Sequence, residues 1–246
     1  MEKIAVRNLA FYVTMVFAIG FVFTLFDYGR EVYLTWLVFD AEKVLHGQIW
    51  RILTTLFYPP GGFSSLNNLF SLNGIINLLF SVLLIYIYYN FASAVEQMIG
   101  EEEFNLYFFG SILIGELGTV IFYLVATKVT GLPLTVQYLP VYTHFAVFIA
   151  LAILHPDARV LLFFAIPIPI KIVAYVEVGL YLYLMISSII AGAYFTTVLV
   201  FCALLPVGIF FLRHLRASSG GDLIGRIRFR MKQRQRRKEW EDQWRD

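Results

Sequence analysis

Three titratable side chains lie inside long apolar stretches of this sequence and are the first candidates for chemistry. Glu116 and Glu177 each supply a carboxyl group, and His144 supplies an imidazole. Ionisable groups are costly in a hydrocarbon environment, so such residues often mark a functional site. One hypothesis is therefore a proton path or enzyme site that uses all three. The alternatives are structural: a buried, hydrogen-bonded histidine and protonated, hydrogen-bonded glutamic acids.

Cysteine and metal chemistry have few residues to draw on. The only cysteine is Cys202, which excludes an internal disulfide framework and a Cys-rich metal site. A single histidine is also too little for a metal centre, which needs three or four ligands. We therefore expect neither a metal nor another cofactor.

The elements that position these residues follow from the composition. Of 246 residues, 59% are hydrophobic and 15% are charged, whereas soluble domains carry about 25% charged residues. The chain is therefore predicted to be a polytopic membrane protein, because an apolar run of about 20 residues can span a bilayer. We predict an all-α fold with six membrane helices, at residues 9–26, 66–91, 104–126, 139–154, 170–186 and 188–212. The fourth is short, and residues 160–170, which contain Pro167 and Pro169, are expected to bend back into the fifth.

Residues 27–64 differ from the apolar runs on either side. Charged residues alternate there with aromatic ones, and Trp and Tyr favour the headgroup level of a membrane. This pattern predicts an amphipathic segment that lies in the interface. Trp50 and Arg51 are its candidate anchor, with Arg51 meeting lipid phosphate, or a site that perturbs nearby lipid.

The charge distribution separates a membrane domain, residues 1–212, from a basic tail, residues 213–246. The tail holds 11 Lys or Arg and 5 Asp or Glu. Such a cluster after a span predicts binding to anionic lipid, with a soluble partner as the alternative; no motif indicates nucleic acid. With six spans, one face collects 14 Lys or Arg against 4 on the other, which predicts that both termini are cytoplasmic.

Three stretches, in order, resemble the rhomboid superfamily. Gly47-Gln48-Ile49-Trp50-Arg51-Ile52-Leu53-Thr54 resembles the Trp-Arg motif that rhomboid proteases share with derlins. Glu96-Gln97-Met98-Ile99-Gly100 is similar to the family's E-x-x-x-G turn, where the carboxylate can cap backbone donors and Gly100 permits a positive φ. Residues 146–169 look like the fourth helix of bacterial rhomboids and its loop into the fifth. The resemblance implies a rhomboid-like six-helix bundle with a loop segment after helix 1.

The same resemblance implies that the catalytic residues are missing. Rhomboid proteases carry a nucleophilic serine in G-x-S-G at the start of helix 4 and a histidine base on helix 6. Here the matching segment is Tyr142-Thr143-His144-Phe145, so His144 stands at the serine position. The sixth predicted helix has no histidine, and a serine without a base is a poor nucleophile. An active serine protease is therefore not expected.

The implied function is that of a pseudoprotease. Such a protein would bind transmembrane segments of client membrane proteins without cutting them, in quality control, trafficking or retrotranslocation. Trp50, Arg51, Glu96, Gly100 and His144 are the predicted binding residues. The alternative is a transporter or membrane enzyme that uses Glu116, Glu177 and His144. Because residues 146–169 resemble bacterial rhomboids, we expect the protein to lie in a bacterial plasma membrane.

Overall fold

The computed structural model describes residues 5–60, 72–132, 134–162, 166–219, 232–233 and 236. The described chain is mostly helical, as predicted, and it also contains two short two-stranded sheets that an all-α fold does not include. In chain order the elements are α1 (Leu9–Leu25), α2 (Asp27–Val32), a π-helical turn (Tyr33–Leu37), β1 (Phe39–Asp40), α3 (Ala41–Leu45), α4 (Arg51–Thr54), a 3₁₀ turn (Thr55–Phe57), α5 (Leu72–Ile99), α6 (Glu101–Thr130), β2 (Gln137–Tyr138), α7 (Val141–Leu154), β3 (Arg159–Leu162), β4 (Ile166–Pro169), α8 (Ile170–Ile190) and α9 (Tyr194–Ser219).

Four helices are long and apolar enough to cross a membrane, by length and composition: α5, α6, α8 and α9 over Tyr194–Arg213. Two further apolar helices, α1 and α7, are shorter. The long helices bury a single stripe each; in α5 this stripe includes Ser81, Ile85, Tyr88 and Ala92. Their other faces expose many large apolar side chains, a surface that suits hydrocarbon and that water does not tolerate in a monomeric protein. These features fit a multi-pass membrane protein.

Small residues on α6 allow its closest contacts. A Cβ atom at Gly118 would collide with the Sγ atom of Cys202 on α9, and one at Gly115 would collide with the ring of Tyr138. Gly118 thus permits close packing of α6 against α9, and Gly115 admits the ring of Tyr138 from β2. The buried thiol of Cys202 thus serves as a packing group between two helices.

The tight connection predicted between the last two helices is present, but it lies later than predicted. Helix α8 continues to Ile190, and α9 begins at Tyr194. Gly192, with a φ of 71°, makes the turn between them. The predicted break at residue 187 was wrong because both sides of the turn are apolar, so hydropathy does not locate it; a glycine in the left-handed region does.

Arg159–Leu162 and Ile166–Pro169 are paired strands, so the prediction that residues 160–170 bend back into the fifth helix was wrong. Strand β3 pairs antiparallel with β4, placing Arg159 opposite Pro169 and Leu161 opposite Pro167. Proline lacks an N–H, but two prolines separated by one residue can both occupy ladder positions whose N–H faces away from the partner strand. The alternating prolines are therefore compatible with a two-stranded ribbon.

The segment between α1 and α5 folds against both α1 and the chain before α7. Strand β1 pairs with β2, and the amide of Ala41 donates to the carbonyl of Val136 at 3.0 Å. The 3₁₀ turn touches α1 at Gly20, where a Cβ atom would collide with the backbone of Phe57. This segment therefore fixes where α7 begins relative to α1.

The contact at Gly20 predicts the effect of one methyl group. Gly20→Ala is expected to lower the unfolding free energy by about 1–3 kcal/mol, because backbone must shift to admit the Cβ atom. Gly179→Ala is the control: it lies on α8 in open space and should be neutral or stabilising by up to about 1 kcal/mol. Unfolding of the micelle-solubilised protein in SDS, followed by tryptophan fluorescence, measures both. Equal effects of the two changes would contradict this contact.

Candidate functional site

The candidate site is built around α7, the central helix of the described bundle. Helix α7 packs mainly against α5, α8 and α9, and most of its side chains are buried. It begins after Pro140 and ends at Leu154, and the next residue, His155, has a φ of −139°. Because Pro156 follows, His155 is disfavoured from the helical region. With 14 residues, α7 is about 21 Å long, shorter than the roughly 30 Å hydrocarbon core of a bilayer.

His144 lies in the first turns of α7 and is 1% exposed. Its Nε2 atom is 3.1 Å from the carbonyl oxygen of Tyr58. The ring makes edge-on contacts with Phe17 of α1, at 4.6 Å between centroids, and with Tyr88 of α5, at 5.8 Å. His144 therefore joins two helices and the end of the segment between α1 and α5.

The hydrogen bond to Tyr58 fixes the tautomer of His144. A carbonyl oxygen can only accept, so Nε2 carries a proton, and in the neutral ring Nδ1 then presents a lone pair. Nδ1 is buried and has no hydrogen-bond partner among the described residues. The neutral imidazole is thus the form that this packing holds.

The neighbouring hydroxyl groups are engaged elsewhere. Thr143 Oγ1 and the Tyr138 hydroxyl oxygen are 2.8 Å apart. Tyr181 donates to the carbonyl of Tyr142 at 2.7 Å. Within the described part of the chain, no hydroxyl is hydrogen-bonded to His144, so the structure brings together no hydroxyl–imidazole pair of the kind that nucleophilic catalysis uses.

Glu116 and Glu177 are both buried but have different surroundings. Glu116 lies on α6, within electrostatic range of Tyr138. Glu177 lies on α8, within range of Tyr107 and Tyr181. Glu116 Oε1 and both carboxyl oxygens of Glu177 have no partner that meets hydrogen-bond geometry among the described residues. In the same residues, no group of three His, Cys, Asp or Glu side chains could hold a metal ion.

The Trp50-Arg51 motif is a set of hydrogen-bond donors for the segment before it. The carbonyls of residues 35–38 lie where the π-helical turn ends and the chain becomes extended, so they lack partners within a helix. Four donors from residues 50–54 satisfy them in turn: Arg51 Nη2 to Thr35 O at 2.6 Å, Trp50 Nε1 to Trp36 O at 3.1 Å, Thr54 Oγ1 to Leu37 O at 2.6 Å, and Arg51 Nη1 to Val38 O at 2.6 Å.

Arg51 is the centre of this network and is 1% exposed. Its Nε atom also donates to Gln48 Oε1 at 2.7 Å. Burial lowers the pKa of the Arg51 guanidinium, and the carboxylate of Asp40 acts in the opposite direction; arginine stays charged throughout the accessible pH range. The expectation that Arg51 meets lipid phosphate was wrong, because all three of its nitrogen atoms are bonded inside the protein. Trp50 remains 45% exposed and is available as an interfacial anchor.

Glu96 caps the N-terminus of α1. Its Oε1 accepts from the amide of Leu9 at 2.7 Å and its Oε2 from the amide of Ala10 at 3.1 Å. These amides begin a helix whose own cap residue, Asn8, makes no side-chain hydrogen bond, and a carboxylate also complements the helix dipole. The expected capping role of Glu96 is confirmed, although its target on another helix was not foreseen.

Gly100 separates α5 from α6 with a φ of 96°, as its position in the E-x-x-x-G pattern predicted. The guanidinium of Arg236, from the basic tail, lies where a Cβ atom of residue 100 would be. Arg236 Nη1 donates to the carbonyl of Gln97 at 3.4 Å. The rest of the predicted lipid-binding tail falls almost entirely outside the described residues.

Sequence reasoning missed the residues that bond to the predicted ones. Asn105 pairs with the backbone of Val6 through two bonds of 3.0 Å, beside the Glu96 cap. Tyr58 contributes a main-chain carbonyl to His144, and no side-chain pattern reveals a main-chain acceptor. Thr54 was detectable: it follows Arg51 by one helical turn, which places both on one face.

The donor network predicts that Arg51 contributes strongly to stability. Arg51→Ala is expected to lose about 3–5 kcal/mol of unfolding free energy, because the buried acceptors left without donors cost about 1–3 kcal/mol each. Arg51→Lys should recover only part of the loss, since an ammonium group cannot reproduce the planar fork. Arg30→Ala, at an exposed arginine of the same segment, should change stability by less than about 0.5 kcal/mol.

SDS unfolding compares these three variants. Equal stability of Arg51→Ala and Arg30→Ala would show that the network is not needed. Full recovery by Arg51→Lys would show that positive charge alone suffices and that the planar fork of the guanidinium is dispensable.

Comparison with known proteins gives no relative to set beside this geometry. No protein-family model matches the chain, and no curated protein or solved structure matches it either. The site is therefore defined by its own contacts. These are the buried imidazole of His144 on the short central helix, the hydrogen bonds donated by Arg51, and the carboxylate of Glu96 that caps α1.

Proposed function

We propose that this chain is a non-catalytic, rhomboid-like membrane protein that binds transmembrane segments of other membrane proteins. The order of the Trp-Arg, E-x-x-x-G and 146–169 stretches supports the family, and so does the short apolar helix at the centre of the bundle. In this proposal α1 and α7 also lie within the bilayer, giving six membrane helices. The segment between α1 and α5 lies at the interface, and both termini are cytoplasmic.

The observation that carries the non-catalytic part is the state of His144. At the position of a rhomboid nucleophile, the chain has an imidazole that donates to Tyr58 and packs between Phe17 and Tyr88. A substrate carbonyl would have to displace these aromatic rings to reach it. The site thus favours holding the bundle together over cleaving a peptide bond.

The binding part rests on the sparse contact between α5 and α8. Each helix packs along α7, but among the described residues they make little contact with one another. On α7, Tyr142 contacts Tyr181 of α8 and Phe148 contacts Phe91 of α5. Phe145 lies one turn from each, is partly exposed, and also contacts Phe148.

A client helix would approach α7 at Phe145 by moving laterally between α5 and α8. Because α7 is shorter than the hydrocarbon core, the bilayer beside it would be thinned or hydrated. A client helix with a polar residue at mid-span would gain most from such a site, since polar groups are costly in undisturbed hydrocarbon.

This proposal predicts site-specific cross-linking in reconstituted vesicles. A photoreactive phenylalanine analogue at residue 145 should cross-link a single-span test helix that carries an Asn at its centre. An otherwise identical all-leucine helix should cross-link less. The analogue at residue 121, an exposed position on α6, is the control and should give only background for both helices.

Equal cross-linking from residues 145 and 121 would overturn the binding part of the proposal. Cleavage of the test helix by the unmodified protein would overturn the non-catalytic part. Cross-linking and cleavage are measured in the same vesicles, and each can contradict its part of the proposal without affecting the other part.

A second candidate function is proton-coupled transport or membrane-embedded enzyme chemistry that uses Glu116, Glu177 and His144. It is favoured by one observation: among the described residues, four buried polar atoms of these side chains have no hydrogen-bond partner, namely Glu116 Oε1, Glu177 Oε1 and Oε2, and His144 Nδ1. Such atoms are costly unless water or a ligand serves them. Each lies on a different helix around the bundle centre.

The transport hypothesis predicts a proton flux that depends on both carboxyl groups. Vesicles that contain a pH-sensitive dye should lose an imposed pH gradient faster with the unmodified protein than without it. Glu116→Gln and Glu177→Gln should each abolish the difference, because an amide of similar shape cannot carry a proton. A flux unchanged by both substitutions, or no flux above empty vesicles, would exclude this function.

A further inference from the structure

A second concave site lies away from His144, between α6 and α9. The two helices touch closely at Gly118 and Cys202, and the groove lies toward the ends that hold Glu103 and Arg213. The groove between them has a volume of about 360 Å³. Pro206 of α9 lines the groove. Because proline cannot donate a backbone hydrogen bond, it favours a kink in α9 at this point.

The interior of the groove is apolar in effect. Its polar side chains are already engaged: Tyr107 donates to the carbonyl of Ala146 at 3.1 Å, and Ser111 donates to the carbonyl of Tyr107 at 2.6 Å. Phe210, in ring contact with Tyr107, and Gly110 supply further lining. The walls therefore offer contact area and no free donor.

The mouth of the groove is charged with both signs. Arg213 and Glu103 are exposed, line the same opening, and are not within ion-pair distance of one another. An arginine fork binds phosphate well, and a carboxylate attracts an ammonium group. A headgroup that carries a phosphate and an amine complements both residues, whereas a purely anionic one would be repelled by Glu103.

The shape of the groove suits a slender apolar occupant. From Glu103 to Ile114 it extends about 16 Å along α6. Tyr107 of one wall is in ring contact with Phe210 of the other, so the two helices remain in contact along the groove. An acyl chain can follow such a groove with its headgroup at the charged mouth.

We propose that the α6–α9 groove binds one acyl chain of a phospholipid whose phosphate lies at Arg213 and whose amine lies at Glu103. Phosphatidylethanolamine has this chemistry. The groove is separate from the proposed client site at Phe145, so this proposal stands whether or not client helices bind there.

Gly110 offers a clean way to fill the groove. A Cβ atom at residue 110 meets nothing within 4 Å, and the same is true of Gly179 on α8, outside the groove. Gly110→Leu should therefore fold while occupying the acyl site, and Gly179→Leu is the matched control. Both replace a helical glycine with a better helix former, so a similar unfolding midpoint in SDS shows that both are folded.

The experiment is native mass spectrometry of the detergent-solubilised full chain after equilibration with equal amounts of phosphatidylethanolamine, phosphatidylglycerol and oleate. The unmodified protein and Gly179→Leu should retain one phosphatidylethanolamine per chain in preference to the others. Gly110→Leu should retain about tenfold less, since losing about two buried methylene groups has that effect on affinity. Glu103→Gln should lower the preference for phosphatidylethanolamine over phosphatidylglycerol, and Arg213→Ala should lower retention of both.

Retention by Gly110→Leu equal to that of Gly179→Leu would overturn the site. Preferential retention of oleate or of phosphatidylglycerol by the unmodified protein would overturn the headgroup assignment, and with it the proposal as stated.

Discussion

The fold depends on satisfying the main-chain carbonyls at the end of one helical turn. The π-helical turn at Tyr33–Leu37 ends in an extended residue, which leaves consecutive carbonyls without helical partners. Where such a carbonyl is buried, leaving it unpaired would cost about 1–3 kcal/mol. Trp50, Arg51 and Thr54 bring donors to all of them from a single turn of chain. The Trp-Arg pair is thus first a solution to a hydrogen-bonding constraint.

This network has consequences for the centre of the molecule. Once the segment is fixed, β1 can pair with β2, and the chain before α7 is held in register. The 3₁₀ turn then lies against Gly20 of α1, and Tyr58 presents its carbonyl to His144. At the other end of α1, Glu96 satisfies the first free amides of the helix. Helix α1 is therefore held at its N-terminus by polar contacts and along its length by packing.

Much of this arrangement follows from the sequence, within identifiable limits. The apolar runs predict the long helices because the membrane sets their length and composition, and the capping role of Glu96 follows from residue type and spacing. The role of Arg51 cannot be predicted in this way, since its partners are backbone atoms of a turn that has no characteristic residue pattern.

Residues 159–169 are apolar and proline-rich. A bent helix start and a two-stranded ribbon can both have this pattern, so only strand pairing distinguishes them. The turn at Gly192 lies between two apolar runs, which hydropathy reads as one stretch. With so few polar residues, periodic patterns are weak and local breakers carry most of the information.

Buried polar groups in this protein fall into two classes, and the difference bears on function. Arg51 and Glu96 have their hydrogen-bonding capacity met by named groups of the protein, so their burial is accounted for by structure. Glu116, Glu177 and the Nδ1 atom of His144 have capacity left over among the described residues. A satisfied buried group gains nothing from a further partner, whereas an unsatisfied one lowers its free energy when water, a proton or a ligand reaches it. Maintaining the fold requires the first class; proton chemistry within the bundle would draw on the second.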